Sequence, residues 1–252
     1  MTVSRFSLDG RTALITGAGT GIGRGVATTF VEAGARVVAC GRRRQPLQDL
    51  ARALGDAVVP CAADVTVATD RERLVRECID RLGSLDILVN CAGFVRSGPL
   101  ETLDEPTWER LLTTNAVAPI RLAALALPAL RERKGCILNV STGSALKPVP
   151  GFGGYAASKA ALNYASLVMA LESAPDVRVN VICPGGVDTP IFESFVSPSE
   201  IPNAKRFFVE KTPLGRMGTS LDIASAALYL ASDAASWVTG AILTVDGGLN
   251  LG

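Results

Sequence analysis

The 252-residue sequence predicts one α/β domain, a doubly wound (Rossmann-type) parallel sheet of about seven strands with helices on both faces. Short β-branched runs alternate with longer helical patterns, which is typical of βαβ units. The runs at 13–15, 37–39 and 87–89 are continuously apolar, as expected for parallel strands that are covered on both faces. No repeat, low-complexity linker or change of composition divides the chain. We therefore expect a single domain over residues 1–252.

The predicted elements alternate in order along the chain. One stretch, 190–215, breaks the alternation, because four prolines stand there among phenylalanines. We expect it to be a mobile insertion over the carboxyl ends of the strands, where open α/β sheets bind ligands. The predicted strands are 11–16, 35–40, 57–62, 86–90, 135–141, 177–183 and 241–245, and the predicted helices are 21–33, 45–54, 67–82, 105–131, 155–173 and 221–232.

Composition excludes several classes of function. Lys and Arg number 25 against 24 Asp and Glu, so no basic footprint favours nucleic acid. No apolar run approaches the ~20 residues of a membrane helix, and no leader is evident at the start, so we expect a cytoplasmic protein without membrane contact. The six cysteines show no CxxC spacing and are interpreted as buried thiols in a reducing compartment. The chain has no histidine, which leaves acid–base work to Tyr, Lys, Asp, Glu or a thiol, and we predict no metal site.

A glycine-rich turn follows the first predicted strand and opens the first helix. Glycine permits a tight turn and lets backbone N–H groups approach a pyrophosphate, which the helix N-terminus favours. The spacing is GxxxGxG and not the generic GxGxxG, and such a cluster could also be a turn and nothing more. The predicted dinucleotide contacts in this turn are Gly17, Thr20, Gly21, Ile22 and Gly23.

The residues after the second strand bear on which dinucleotide is bound. An acid there would select NAD(H), but this chain has three consecutive arginines, of which Arg42 suits the 2′-phosphate of NADP(H). The alternative is that the arginines simply begin a solvated helix, and NAD(H) stays possible. After the third strand, Asp64 and Val65 could meet the adenine. After the fourth, small residues must let the cofactor approach, and the predicted contacts there are Asn90, Ala92 and Gly93.

Tyr155 and Lys159 stand at i and i+4 on a predicted helix, so their side chains share one face. A cation about 4 Å from a phenol stabilises its phenolate form by about 4 kcal/mol at an effective dielectric near 20. This would lower the pKa of the phenol by close to 3 units. That shift would bring the pKa of a phenol near working pH. An exposed Tyr–Lys pair is the common interpretation of this spacing alone, but the glycine turn favours a reactive one.

These motifs occur in the order and spacing of the short-chain dehydrogenase/reductase family of about 250 residues, which the chain resembles from Arg11 to Gly248. The resemblance implies that Tyr155 is the general acid/base and that Lys159 lowers its pKa and binds the nicotinamide ribose. It also implies dinucleotide contacts from the segment after the sixth strand, at Pro184, Gly185, Val187 and Thr189.

The family's catalytic serine is replaced here. Its place, thirteen residues before the tyrosine, holds Thr142, which keeps the hydroxyl but has a more restricted χ1. We expect the Thr142 hydroxyl to take the role of that serine, with Ser141 or Ser144 as substitutes.

Asn115 precedes Pro119 by four residues, and because proline has no N–H the helix should kink there and free the Asn115 carbonyl. The resemblance implies that this carbonyl holds a relay water.

The predicted substrate wall is apolar, with Phe94, Phe152 and Phe192 as candidates, and this favours a lipophilic or aromatic ketone. Three functions remain open. The first is NADP(H)-dependent reduction of a small-molecule ketone, the second is reduction of a 3-oxoacyl thioester, and the third is dinucleotide binding without catalysis. The helices predicted at 105–131 and 155–173 carry more apolar surface than packing on one sheet face would bury, so we expect a homotetramer or homodimer.

Overall fold

The computed structural model describes residues 5–251, which form a seven-stranded sheet with all strands parallel, in the order β3-β2-β1-β4-β5-β6-β7. All seven predicted strands and all six predicted helices are confirmed, with boundaries within two residues. The strands are β1 Thr12–Thr16, β2 Arg36–Gly41, β3 Val58–Ala62, β4 Ile87–Asn90, β5 Cys136–Val140, β6 Arg178–Pro184 and β7 Ile242–Val245. The helices are α1 Gly21–Glu32, α2 Arg44–Leu54, α3 Ala68–Leu82, α4 Glu105–Leu112, α5 Ala118–Glu132, α6 Gly153–Ser173, α7 Ile201–Lys211 and α8 Ser220–Ala231.

Each face of the sheet has its own apolar core, because the strands are buried on both sides. One core joins the sheet to α1, α2 and α8 through side chains such as Phe30 and Ile223. The other joins it to α3, α5 and α6 through side chains such as Leu74 and Leu122. The strand order reverses between β1 and β4, so their carboxyl ends diverge and open a crevice there.

The segment 190–215 contains a helix that the sequence analysis did not predict. Prolines often interrupt helices, but Pro202 occupies the first turn of α7, where the missing N–H would have no helical partner. Pro190 likewise begins a short 3₁₀ turn, Pro190–Ser194. Residues of this segment line the crevice at the carboxyl ends of the strands.

The helical stretch Glu105–Glu132 consists of α4, a π-helical turn at Thr113–Val117, and α5. Among residues 5–251 it is the one helix whose length and mean hydropathy of 1.3 would suit a membrane span. Leu122 and Leu130 of α5 are fully buried in the core beneath the sheet. The apolar composition of α5 is thus accounted for, at least in part, by packing inside the fold.

Candidate active site

A cavity of about 1640 Å³ lies at the carboxyl ends of β1, β4, β5 and β6. It extends from the start of α2 to the lid formed by the 3₁₀ turn and α7. The structure brings all but two of the predicted site residues to this cavity; Asn90 and Asn115 are buried behind it. The predicted residues that line it are Gly17, Thr20, Gly21, Ile22, Gly23, Arg42, Asp64, Val65, Ala92, Gly93, Phe94, Ser141, Thr142, Ser144, Phe152, Tyr155, Lys159, Pro184, Gly185, Val187, Thr189 and Phe192.

The glycine turn leaves no room for side chains. A Cβ on Gly17 would lie 2.9 Å from the Ala92 nitrogen, and φ of Gly17 is +70°. A Cβ on Gly23 would lie 2.3 Å from the Gly17 carbonyl oxygen. The Thr16 hydroxyl accepts hydrogen bonds from the Cys91 and Ala92 N–H groups at 3.0 and 3.1 Å, and so fixes the end of β1 against the end of β4. The turn is therefore a close-packed cradle of backbone at the start of α1.

The arginines after β2 are at the far end of the cavity. Arg42 and Arg43 are exposed and line it, whereas Arg44 begins α2 outside it. None of the three forms an ion pair with any residue between 5 and 251. At the same end, the Asp64 carboxylate accepts from the Thr66 N–H and hydroxyl at 2.9 and 2.7 Å. One carboxylate and two uncompensated guanidinium groups thus form this end.

Asn90 does not reach the cavity. Its side-chain amide donates to Asn139 Oδ1 at 2.8 Å and to the Pro119 carbonyl at 3.3 Å, and the residue is only 3% exposed. Cys91, the next residue, lines the cavity in its place. The side chain of Asn90 therefore supports the sheet and the start of α5.

Asn115 lies in the π-helical turn, where the Ala118 N–H bonds the Thr113 carbonyl five residues back. The expected interruption of the helix before Pro119 is therefore present. The buried Asn115 amide exchanges two hydrogen bonds with the Phe94 backbone, at 2.8 and 2.7 Å. The side chain thus holds the loop after β4 in place, which the sequence analysis did not anticipate.

Lys159 is 3% exposed and donates to the Val140 carbonyl at 2.7 Å. Burial lowers the pKa of Lys159 to about 8. Burial also raises the pKa of Tyr155 to about 12, although a hydrogen bond with the Thr142 side chain opposes the rise. The charge of Lys159 is not among the causes of this shift, so the expectation that it brings the pKa of Tyr155 near neutrality is wrong for this structure. Tyr155 is a protonated phenol at neutral pH.

Of the three candidate hydroxyls, Thr142 is the one that meets Tyr155. Ser144 supports Thr142, since their hydroxyls are 3.1 Å apart and the Ser144 N–H donates to Thr142 Oγ1. The Ser141 hydroxyl is buried next to the Cys183 thiol and has no nitrogen or oxygen partner. The structure thus brings Thr142 and Tyr155 together, while the Ser141 hydroxyl is buried near the Cys183 thiol.

An aromatic wall closes the other end of the cavity. Besides Phe94, Phe152 and Phe192 it includes Phe195, Phe207 and Phe208. Phe94 carries the Arg110 guanidinium 3.9 Å above its ring. The unexpected Asn250 approaches from the end of the chain and donates to the Gly143 carbonyl at 3.4 Å, a long-range contact that no local pattern signals.

Comparison with known proteins identifies the family. A family model described as enoyl-(acyl carrier protein) reductase matches residues 17–250. The chain is 39% identical to L-fucose dehydrogenase of Oryctolagus cuniculus, covering 96% of this chain and 86% of that protein. It is 33% identical to 3-oxoacyl-(acyl-carrier-protein) reductase of Thermotoga maritima, covering 96% and 98%.

Solved structures agree in fold along the whole chain. A 7α-hydroxysteroid dehydrogenase solved with NADH and 7-oxo glycochenodeoxycholic acid superimposes with a TM-score of 0.90 at 35% identity, covering 97% of this chain and 96% of that one. A 3-ketoacyl-(acyl-carrier-protein) reductase from Brucella melitensis, solved with NADH, gives 0.90 at 31% identity, covering 97% and 100%. With the cavity, the glycine cradle and the Tyr155–Lys159 pair, these matches establish that the chain belongs to the short-chain dehydrogenase/reductase family of NAD(P)-dependent oxidoreductases.

Proposed function

We propose that the protein reduces a small-molecule ketone to a secondary alcohol, with NADPH as the preferred cofactor. The observation that carries this proposal is the protonated Tyr155 phenol, which lies with the Thr142 hydroxyl in the same cavity as the glycine cradle. A proton donor and a dinucleotide cradle in one cavity are what carbonyl reduction requires. The test is oxidation of NADPH at 340 nm with a panel of ketones, in the wild type and in Tyr155→Phe.

The residues present fit a dinucleotide. A Cβ at Gly17 or Gly23 would clash with backbone atoms, so the turn is bare backbone that a ligand can approach closely. This suits a pyrophosphate at the N-terminus of α1. When bound, the nicotinamide supplies the hydride. Lys159 and the segment 184–189 line the cavity where they would hold the nicotinamide half, and Asp64 and Val65 line the adenosine end.

The proton chemistry falls to Tyr155 and Thr142. Because burial keeps the phenol of Tyr155 protonated, it can donate a proton to a ketone oxygen as negative charge develops there. The Thr142 hydroxyl can donate a second hydrogen bond to the same oxygen. Lys159, with its pKa lowered to about 8 by burial, stays mostly charged at pH 7 and lies in the same cavity.

The preference for NADP(H) rests on Arg42 and Arg43, which line the cavity without a carboxylate partner. A charged hydrogen bond to a 2′-phosphate is worth roughly 1.5–3 kcal/mol, or about 10- to 100-fold in affinity. We expect Arg42→Ala to raise the KM for NADPH by about tenfold and to leave the KM for NADH unchanged. Arg44→Ala, the matched control outside the cavity, should change neither. Equal losses with both cofactors would support NAD(H), which the two solved relatives contain.

Reduction of a 3-oxoacyl thioester is the second candidate, favoured by the relatives that carry that name. Turnover of acetoacetyl-coenzyme A at a kcat/KM well above that of every simple ketone would select it. A dinucleotide-binding protein without catalysis is the third candidate, and the intact Tyr155–Lys159 pair counts against it. NADPH binding without turnover of any carbonyl compound would select it.

We further propose a homodimer or homotetramer, in a reducing cytoplasm. Large apolar side chains on α6 are exposed in the single chain, with Tyr164 at 73% and Leu171 at 82%. Val117 and Leu125 of the 105–132 helical stretch are also exposed. We expect Leu171→Lys to lower the mass measured by light scattering, while Leu100→Lys, an exposed leucine outside both helices, should not. All six cysteines are free thiols, which suits a reducing compartment.

A further inference from the structure

Five phenylalanine rings form a continuous row from the catalytic helix to the lid. Phe152, immediately before α6, meets Phe195 edge-on with ring centroids 5.5 Å apart. Phe195 then meets Phe192 at 5.3 Å, and Phe192 meets Phe208 edge-on at 5.6 Å. Phe207 ends the row, 5.8 Å from Phe208. All five line the cavity, and Phe152 is three residues from Tyr155.

Phe195 lies between Phe152, next to α6, and Phe192, in the 3₁₀ turn, and contacts both rings. Phe192 is only 3% exposed and serves as backing, whereas Phe195 and Phe152 are partly exposed and present ring surface to the cavity. The Ser97 hydroxyl donates to the Phe195 carbonyl at 3.2 Å, and the Phe195 N–H donates to the Phe192 carbonyl at 3.2 Å. The backbone of Phe195 is thus held on both sides, and the rings of Phe152 and Phe192 pack on its side chain, so little conformational entropy would be lost when a ligand packs on it.

We propose that Phe195 selects the substrate class, a ketone with an aromatic ring that packs edge-on against Phe195 and Phe152 while its carbonyl meets Tyr155. Aromatic rings favour edge-to-face partners over alkyl chains of similar area, because the ring quadrupoles attract. Ser97 acts as a positioning residue, since it fixes Phe195 without facing the reacting atoms. This inference rests on the proposed ketone reductase function.

The test compares acetophenone with octan-2-one, which have the same number of carbons, one aromatic and one linear. We expect the wild type to prefer acetophenone in kcat/KM. Phe195→Leu keeps an apolar side chain but removes the ring, and it should reduce that preference roughly fivefold through the KM for acetophenone. The KM for NADPH should not change. Phe6→Leu, which alters a ring that packs on Tyr229 and does not line the cavity, is the matched control and should keep the preference.

Variants of Ser97 test whether the position of Phe195, and not apolar packing in general, sets the preference for acetophenone. Ser97→Ala should lower the preference for acetophenone part of the way, and Ser97→Thr, which keeps the hydroxyl, should restore it. A wild type that reduces both ketones equally, or a Phe195→Leu variant that keeps the preference, would overturn the inference and leave the reductase intact. Binding of NADPH with turnover of neither ketone nor any other carbonyl compound would instead overturn the proposed function.

Discussion

Replacing Lys159 by methionine should stabilise the fold while abolishing turnover. The ammonium group of Lys159 is buried, and its pKa falls from 10.5 to about 8. At about 1.4 kcal/mol per pKa unit, burying the charge costs roughly 3 kcal/mol of folding free energy at pH 7. Lys159→Met removes that cost but also removes the hydrogen bond to Val140, worth about 1 kcal/mol. We therefore expect a net gain of about 2 kcal/mol at pH 7.

The pH dependence makes this prediction specific. Below pH 8 the folded and unfolded states both carry the Lys159 proton, so the cost is complete. Between about 8 and 10.5 the folded state has lost the proton and the unfolded state has not, so wild-type stability rises with pH. By pH 9.5 the cost should fall to roughly 1 kcal/mol, and the advantage of the variant should shrink by about 2 kcal/mol.

Urea unfolding of both proteins at pH 7 and pH 9.5 measures the two differences. Lys134→Met, at an exposed lysine after α5, is the control and should show no such dependence. A Lys159→Met variant whose stability differed from the wild type by the same amount at both pH values would refute the reasoning. It would mean that the ammonium of Lys159 is hydrated in the folded state.

Two further substitutions test the architecture of the site. Gly23→Ala should place a Cβ 2.3 Å from the Gly17 carbonyl, lower stability by about 1–3 kcal/mol and abolish NADPH binding in a fluorescence titration; unchanged binding would exclude a close cradle. Pro119→Ala supplies the N–H missing after Asn115, so it should convert the π-helical turn toward regular helix and slow turnover roughly tenfold, about 1.4 kcal/mol, with little change in the KM for NADPH. Wild-type turnover in that variant would remove the argument for the interrupted helix.

The sheet could be predicted because strand and helix signals are local. The apolar runs, the glycine turn and the Tyr155–Lys159 spacing each depend on residues near one another in the chain. Helix α7 was missed because proline was weighted as a breaker, and nothing local shows that Pro202 falls in a first turn. Asn90 does not line the cavity because, as the last residue of β4, it pairs in register with Asn139 and its side chain is buried, while Cys91 lines the cavity. Register between strands is not a local property.

The protonation of the site was the hardest property to predict, for the same reason. Helical spacing places Lys159 beside Tyr155, but it does not show that the ammonium donates to a carbonyl of β5 nineteen residues away. Nor does it show that two thiols, of Cys91 and Cys183, lie near enough to raise the pKa of Tyr155 further. The depth of burial, which dominates both pKa shifts, is set by the whole fold.

The pH profile of the reaction distinguishes whether burial or the charge of Lys159 sets the pKa of Tyr155. If burial keeps the pKa of Tyr155 at about 12, the phenol is protonated throughout the neutral range, and ketone reduction should not depend on its titration between pH 6 and 9. Alcohol oxidation needs the phenolate, whose fraction grows about tenfold per pH unit below the pKa, so its rate should climb steeply up to at least pH 10. The measurement is single-turnover oxidation of one secondary alcohol with saturating NADP at a series of pH values. A plateau reached near pH 7 would contradict burial as the dominant effect and reinstate the charge of Lys159 as what sets the pKa of Tyr155.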